Sequence, residues 1–306
     1  MISRSLVRQL GMTLACSLVG IAILAPAPAL AGAVGHFNGA RALETTRQFV
    51  AIGPRWPGSE GHIKAEAFLK KQFAKDALED DTFTANTPAG PMQLHNLIVR
   101  FPGKKDGVIV LATHYETNYP LRDTGFVGAN DGGATTGLLI EIANHLRGKQ
   151  LEGYSVWMVF FDGEEAVREW SRSDSTYGSR HLAAKWQNDG NLKRIKALFL
   201  ADMIGDRDLD IQRDSNSTGW LLDLVKEAAT KYGYQDYFFR NEGAVEDDHL
   251  PFMQRGVPCA DVIDLDYGPN NSWHHTTEDT MGKLSAKSLT IVGDTFLESI
   301  RLVNQR

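Results

Sequence analysis

The chain has 306 residues, 42% of them hydrophobic, and a formal net charge of −6. This length and hydrophobic content can supply the core of one large domain. The acidic balance argues against nucleic acid or an anionic membrane as a partner, because both carry negative charge.

Residues 1–31 have the pattern of a secretory signal peptide. Arg4 and Arg8 precede an apolar stretch over residues 12–24, and a small-residue Ala-Leu-Ala pattern ends at Ala31. The apolar stretch is shorter than a membrane span, and two prolines follow it, which disfavours a membrane anchor. We therefore expect cleavage after Ala31 and export of the protein, either to the periplasm or as a secreted protein.

Cleavage would leave residues 32–306 as a single domain, because no repeat, low-complexity tract or linker follows the leader. Losing Arg4 and Arg8 without any acidic residue would change the formal net charge to −8. Cys259 would be the one remaining cysteine, so the mature chain would have no internal disulfide. We expect a monomer with no stable membrane association.

Five apolar, β-rich runs predict buried strands, at residues 96–101, 107–113, 155–161, 197–201 and 258–263. Apolar residues at helical spacing recur between and after these runs, around residues 65–73, 138–146 and 289–303. Strands that alternate with helices predict an α/β three-layer sandwich, with a mostly parallel, twisted central sheet and helices on both faces. Functional residues are expected at the carboxyl ends of such strands.

Acidic and histidine side chains follow four of the five strands, in chain order His114, Glu164 with Glu165, Asp202, and His274 with His275. Asp131 adds a further carboxylate at the start of a predicted helix. Any one of these residues alone could cap a helix or a turn. Together, at successive strand ends, they form the imidazole and carboxylate set that binds Zn²⁺ in open catalytic sites.

The adjacent glutamates 164 and 165 raise a separate question, because neighbouring carboxylates repel each other and are costly to desolvate. They directly follow an apolar strand and its Asp-Gly turn. Two explanations fit this placement, a bound metal ion and a proton acceptor. The residue pattern by itself leaves both open.

Four segments resemble the animal-type zinc glutaminyl-peptide cyclotransferases, or glutaminyl cyclases: PRWPGSEG, THYET…FVGANDGG, FFDGEEAVREWSRSDSTYGSRHLAAKW and EDDHLPFMQRGVP. This family shares its fold and metal-site layout with the di-zinc aminopeptidases. Residues 162–181 carry the specific part of the resemblance. Ordinary aminopeptidases share the paired glutamates but lack the W-S-x-x-D-S-x-Y-G-S-R-H pattern.

The resemblance implies a zinc-dependent catalytic domain with one zinc per chain. Its zinc ligands would be Asp131, Glu165 and His275, the last because His-Thr-x-x-Asp is the family pattern. Glu164 would be the general acid and base.

The remaining implied roles concern the surroundings of the zinc. Asp202 and Asp247 would form a hydrogen-bonded acid network around the general acid and base. Trp170, Trp273 and His274 would contact substrate. In the di-zinc peptidases, a second metal would use His114 and Asp202, with the first aspartate ligand bridging the two ions.

Two departures from the family pattern leave metal number and substrate fit open. Glu116 stands where the family has an aspartate that orients the first histidine, and His274 stands where the animal enzymes have tryptophan. Trp273 lies one position earlier. The cysteine that precedes the first histidine in animal enzymes is replaced by Thr113, so their disulfide near the active site is absent.

The predicted reaction is conversion of the N-terminal glutamine of peptides or proteins to pyroglutamate, with release of ammonia. The alternative is a zinc aminopeptidase that hydrolyses N-terminal residues. A non-catalytic binding domain on the same fold is a third hypothesis. Retention of the complete ligand set and of Glu164 argues against it.

Overall fold

The computed structural model describes residues 36–306, and eight strands run through this part of the chain. In chain order they are β1 (Ala77–Thr87), β2 (Gly90–Phe101), β3 (Gly103–His114), β4 (Leu151–Phe161), β5 (Ile195–Asp202), β6 (Ile211–Asp214), β7 (Phe238–Gly243) and β8 (Cys259–Ile263). The predicted signal peptide, residues 1–31, lies outside the described residues.

Six of the strands form the central sheet, in the order β1-β2-β4-β3-β5-β8. The four strands β4, β3, β5 and β8 run parallel, and β2 and β1 continue the sheet antiparallel at one edge. Strands β6 and β7 pair separately. Because the four parallel strands end at the same edge of the sheet, the residues that follow them come together there.

Seven α-helices accompany the sheet: α1 (Gly39–Val50), α2 (Glu60–Gln72), α3 (Thr135–Leu146), α4 (Tyr177–Asn188), α5 (Gly219–Lys231), α6 (Leu250–Met253) and α7 (Ala286–Val303). Alternate strand residues face opposite layers, as the period of a strand requires. Ile109 and Leu111 pack with α1, α2, α3, α5 and α7, whereas Val110 and Ala112 pack with α4 and α6. The predicted three-layer α/β sandwich is confirmed.

All five predicted strands are present, and β1, β6 and β7 were not predicted. Strand β1 reads ALEDDTFTANT, and its residues are mostly exposed or half-buried because it lies at the sheet edge. It therefore lacks the continuous apolar run that marked the central strands. Within residues 36–306, no helix is both long and apolar enough to cross a membrane.

A fully buried arginine holds the loops at the carboxyl edge of the sheet. The guanidinium of Arg55 donates to the backbone carbonyls of Tyr115 at 3.1 Å, Val127 at 2.7 Å and Gly128 at 3.0 Å. Burial lowers the pKa of Arg55 to about 10, and nearby carboxylates oppose this effect. The segment after β3 and the loop before Asp131 are thus tied to one side chain.

A buried ion pair supports the carboxyl end of β4. Asp162 follows this strand, and its two carboxylate oxygens contact Nε2 of His62 at 2.8 Å and accept the backbone N–H of His95 at 2.7 Å. Burial acts to lower the pKa of His62, but the charge and hydrogen bond of Asp162 outweigh it and raise the pKa. Asp162 is therefore held in place two residues before Glu164, the first of the paired glutamates.

Replacement of this histidine tests the pair, and we expect His62→Gln to destabilise the protein more at acidic pH than at alkaline pH. A raised folded-state pKa contributes stability that is complete below the unfolded value of 6.5 and is lost as pH rises through the folded value. The loss at pH 5.5 should be about 3 kcal/mol, because one partner of a buried pair is removed. Urea unfolding at pH 5.5 and pH 9 measures it. An equal loss at both pH values would contradict this account.

Candidate metal and catalytic site

A cavity of about 430 Å³ lies at the carboxyl edge of the sheet. Its wall contains eight of the residues predicted from the sequence: Asp131, Glu164, Glu165, Trp170, Asp202, Asp247, His274 and His275. The structure therefore brings together side chains that are up to 144 positions apart in the chain. The predicted gathering of strand-end residues corresponds to one physical site.

Asp131 occupies the centre of this site, in the turn between β3 and α3. Its Oδ1 lies 3.1 Å from Nε2 of His114, and its Oδ2 lies 3.3 Å from Nε2 of His275. The next residue, Gly132, has φ +72°, and a Cβ there would lie 3.0 Å from the His114 ring. Any other residue would be strained by this positive φ and would crowd the His114 ring, so glycine permits the turn in which the Asp131 carboxylate faces two histidines.

The first group of donors contains Asp131, Glu165 and His275. Oε1 of Glu165 lies 2.9 Å from Nε2 of His275, and its Oε2 accepts a hydrogen bond from Asn118 at 2.8 Å. Burial acts to lower the pKa of His275, but Glu165 and Asp131 raise it to about 11. The side chain that the family pattern selected as a ligand, His275, is thus the one in contact with both carboxylates.

The second group of donors contains His114, Asp131 and Asp202. Nε2 of His114 lies 3.3 Å from Oδ1 of Asp202. Glu116 is fully buried, but its Oε2 lies 3.8 Å from Nδ1 of His114, which is beyond hydrogen-bonding distance. Its Oε1 instead accepts the backbone N–H of Glu165 at 3.1 Å. Glu116 therefore supports the glutamate pair more directly than it orients His114.

Asp279 connects the histidine loop to the Asp131 turn. Its carboxylate accepts the backbone N–H groups of Asn130 at 2.8 Å and Asp131 at 3.2 Å, together with the hydroxyl of Tyr267 at 2.6 Å. Burial and the charge of Asp131 raise the pKa of Asp279 to about 6. The last residue of the His-Thr-x-x-Asp pattern thus has a structural task, since it holds Asp131 in register with His275.

Glu164 differs from its neighbour in having no hydrogen bond to its carboxylate within residues 36–306. It is 7% exposed and lies close to His114 and Glu116. Burial raises the pKa of Glu164 well above its ordinary value; His114 opposes this effect, and Glu165 and Asp247 add to it. A carboxyl group with this proton affinity and no fixed partner can accept and return a proton.

The segment after the glutamate pair folds back on itself and fixes their position. The carbonyl of Glu164 accepts the N–H of Thr176 at 2.6 Å. Asp174 accepts the backbone N–H groups of residues 167, 168 and 169, each at 2.9 Å, and the hydroxyl of Tyr177 at 2.7 Å. The D-S-x-Y part of the family pattern therefore builds the loop that carries Trp170 to the cavity wall.

Trp273 and His274 have different environments. His274 lines the cavity, and its Nδ1 lies 3.2 Å from the side-chain amide of Asn271. Trp273 packs edge-on against Tyr267 at a ring distance of 5.5 Å and does not line the cavity. Four members of its apolar cluster, Met203, Val245, Ile263 and Leu265, line the cavity themselves, so the predicted contact between Trp273 and substrate stays a prediction.

One buried cluster was missed from the sequence. His249 is fully buried between Asp214 at 3.2 Å and Asp261 at 3.6 Å. Asp248 and Asp247 precede it, and burial raises the pKa of each, that of Asp248 to about 8. The acidic residues of the EDDHL segment are evident in the sequence. The buried carboxylates that contact His249 come from β6 and β8, which are distant in the chain.

The residues present fit a zinc ion. Both ring nitrogens of His114, Oδ2 of Asp131 and Oδ1 of Asp202 are buried without a hydrogen-bond partner in the described part of the chain. Such atoms are costly to leave unpaired, and a cation satisfies them. Imidazole nitrogens and carboxylate oxygens are the donors that zinc prefers in catalytic sites. In the first donor group, Oδ2 of Asp131 and Oε1 of Glu165 lie 3.3 Å and 2.9 Å from Nε2 of His275, so three donor atoms converge there. In the second group, His114, Asp131 and Asp202 each offer one atom, and these three atoms lie within 4.8 Å of one another.

Comparison with known proteins agrees with this fold and site. The family model of peptidase family M28 matches residues 96–300, and the chain belongs to that family. Within it, the resemblance to glutaminyl cyclases is confirmed. The crystal structure of an Acidobacteriales bacterium glutaminyl cyclase is 60% identical, has a TM-score of 0.88, and covers 93% of this chain and 100% of that one.

Two further relatives extend the comparison. The glutaminyl-peptide cyclotransferase of Bos taurus is 31% identical over 272 residues, which are 77% of this chain and 74% of that protein. A zinc-dependent exopeptidase from Parabacteroides distasonis is 24% identical with a TM-score of 0.78, over 90% of this chain and all of that one. The second likeness shows the shared fold.

Histidine substitutions test the ligand set. We expect His275→Ala to lose bound zinc, because His275 contacts both carboxylates of the first group, and His274→Ala to retain it. Elemental analysis after dialysis measures zinc per chain, and circular dichroism verifies that each variant is folded. Zinc loss in His274→Ala with retention in His275→Ala would reverse the assignment.

Proposed function

We propose that the protein is a zinc-dependent glutaminyl-peptide cyclotransferase that converts the N-terminal glutamine of peptides or proteins to pyroglutamate and releases ammonia. The observation that carries this proposal is the 60% identity to a solved glutaminyl cyclase across 93% of this chain. The local support is the loop of residues 162–177, which presents Glu164 and Trp170 to a cavity lined by a zinc-compatible donor set. One zinc per chain, held by Asp131, Glu165 and His275, is part of the proposal.

Glu164 performs the proton transfers in this reaction. The substrate's α-ammonium loses a proton to the Glu164 carboxylate, and the freed amine attacks the γ-carboxamide carbon. A new C–N bond closes the five-membered ring, and Glu164 returns its proton to the side-chain nitrogen as the bond from the carbonyl carbon to that nitrogen breaks. The second proton that the attacking amine loses leaves with the ammonia, as ammonium. The absence of a fixed hydrogen-bond partner leaves the Glu164 carboxylate free for both transfers.

Orientation of the substrate supplies a further part of the rate enhancement. The nucleophile and the electrophile belong to the same residue, so the cavity has to hold the glutamine in the rotamer in which they meet. Such orientation lowers the barrier of intramolecular reactions by several kcal/mol. Bound zinc would supply Lewis-acid polarisation of the γ-carbonyl. Trp170 and His274 line the space in which the glutamine side chain would lie.

Asp202 and Asp247 complete the proposed acid network. Burial raises the pKa of Asp247 well above its ordinary value, and the charges of Asp202 and Asp248 add to the rise. A protonated Asp247 can donate a hydrogen bond in a cavity where most other side chains accept.

A zinc aminopeptidase is the second candidate, and one observation favours it. The two oxygens of Asp131 face two separate histidines, and His114 and Asp202 complete a second donor group. Two ions bridged by Asp131 would suit hydrolysis, for which Glu164 would deprotonate a water molecule. Against it, Glu116 lies too far from His114 to hold the imidazole, which weakens a second site.

We also propose that the protein acts outside the cytoplasm as a monomer. The support is the leader pattern of residues 1–31 and the single cysteine of the mature chain. Peptide and protein N-termini are the proposed partners.

The general acid and base is tested by Glu164→Gln, which should lower kcat by at least about 100-fold because positioned proton transfer contributes roughly 10²–10⁴. Zinc content and unfolding free energy should stay close to those of the native protein, since Glu164 is not in the proposed ligand set. Ammonia release and elemental analysis provide the measurements. Full activity in this variant would remove Glu164 from the mechanism.

The reaction type is tested with peptides that begin with Gln, Leu or Ala, analysed by mass spectrometry. We expect ammonia loss from the Gln peptide with an intact backbone, and little action on the other two, because only glutamine contains its own electrophile. Released leucine together with an unchanged Gln peptide would establish the aminopeptidase instead.

A further inference from the structure

The cavity of about 430 Å³ that contains Glu164 and the metal donors is called the catalytic cavity here. A second cavity, of about 600 Å³, adjoins it, and the two share part of their walls. Trp170, Glu246 and Asp247 line both cavities. Trp170 is 38% exposed, so its indole lies at the boundary rather than closing the passage completely. A peptide with its N-terminus in the catalytic cavity therefore has an adjoining space for the residues that follow.

Three arginines line the second cavity, and none forms an ion pair within residues 36–306. Arg180 donates to the backbone carbonyl of Ser175, from Nε at 3.1 Å and from Nη2 at 2.8 Å. Arg255 donates to the carbonyl of Pro251 at 2.7 Å and to a glutamine side chain at 3.0 Å. Arg172 is exposed. All three guanidinium groups therefore keep their full positive charge available to a ligand.

This concentration of unneutralised positive charge contrasts with the rest of the molecule. The chain has a net charge of −6, and most arginines elsewhere in residues 36–306 pair with carboxylates, as Arg41, Arg147 and Arg301 do. Glu246 is the exposed acid among the lining residues. Three guanidinium groups against one exposed carboxylate leave the cavity with an excess of positive charge.

We propose that this arginine-lined cavity binds acidic side chains at the second and third positions of the substrate, immediately after the N-terminal glutamine. An extended peptide advances about 3.3–3.6 Å per residue, so these two residues reach past the Trp170 boundary. Guanidinium groups bind carboxylates through charge-assisted, often bidentate hydrogen bonds. The inference rests on the proposed cyclase function and specifies its substrate class.

We expect the arginines to strengthen substrate binding more than they accelerate the chemical step. The arginines lie outside the catalytic cavity, so their contacts with substrate should be similar before and during the reaction, which changes KM more than kcat. Solvent reaches the cavity, so each contact is modest and screened by salt. We expect the acidic peptide to exceed the neutral one in kcat/KM by about fivefold to tenfold at low ionic strength.

The experiment uses two amidated peptides, Gln-Glu-Glu-Ala-Ala and Gln-Gln-Gln-Ala-Ala, which differ in charge and hardly in shape. Ammonia release gives kcat and KM for the native zinc enzyme and for the double variant R172Q/R255Q. The native enzyme should prefer the acidic peptide, mostly through KM, and 0.5 M NaCl should reduce the preference. The double variant should lose it. Arg180 is left unchanged because it holds the carbonyl of Ser175, next to the loop that carries Glu164.

A matched control is the double variant R194Q/R306Q, which changes the net charge equally at two arginines that do not line the cavity. It should retain the preference for the acidic peptide. Equal kcat/KM for the two peptides in the native enzyme would overturn this inference and leave the proposed function intact. An equal loss of preference in the control would also overturn it. Absence of ammonia from both peptides would overturn the proposed function and this inference with it.

Discussion

The site depends on one electrostatic constraint, the burial of negative charge. Beside the exposed Glu246, five buried carboxylates line a single cavity, and each is at most 9% exposed: Asp131, Glu164, Glu165, Asp202 and Asp247. Ionised carboxylates in such a place repel each other and lose their hydration, so cations or protons must neutralise them. Imidazoles and protons on part of the acids meet some of this need, and the zinc of the proposed function would meet the rest. The adjacent glutamates divide the work, because Glu165 contacts His275 while Glu164 has no fixed partner.

The rest of the structure holds these charges at short range. Parallel strands bring His114, Glu165 and Asp202 to one edge, although they are separated in the chain. The loops between them are then tied by buried polar side chains. Asp279 connects the histidine loop to the Asp131 turn, and Arg55 fixes the backbone around it. These ties satisfy backbone groups that would otherwise be unpaired in a buried region, and they keep the metal donors within the tolerance that a zinc site requires.

The difference between a cyclase and an aminopeptidase therefore lies in the surroundings of a shared site. Both reactions use a zinc ligand set and a glutamate that moves protons. The loop organised by Asp174 places Trp170 between the catalytic cavity and the arginine-lined cavity. In the proposed function, this wall would limit the space around the reacting carbon and direct the following residues of a peptide. Substrate choice would then depend on the loop and its neighbours more than on the metal ligands.

The sequence alone predicted the central strands, the helices on both faces and the strand-end residues of the cavity wall, whereas Trp170 and Asp247 came from the family resemblance. It could do so because central parallel strands have continuous apolar runs and because their carboxyl ends meet at one edge. It did not predict strand β1, whose edge position leaves it mostly polar, nor the edge-on packing of Trp273 against Tyr267. It also missed the burial of His249 between Asp214 and Asp261 and the task of Asp279. These features depend on contacts between distant segments, so the local sequence pattern cannot predict them. Only the tertiary structure decides which buried polar groups meet, because that depends on the relative placement of strands and loops.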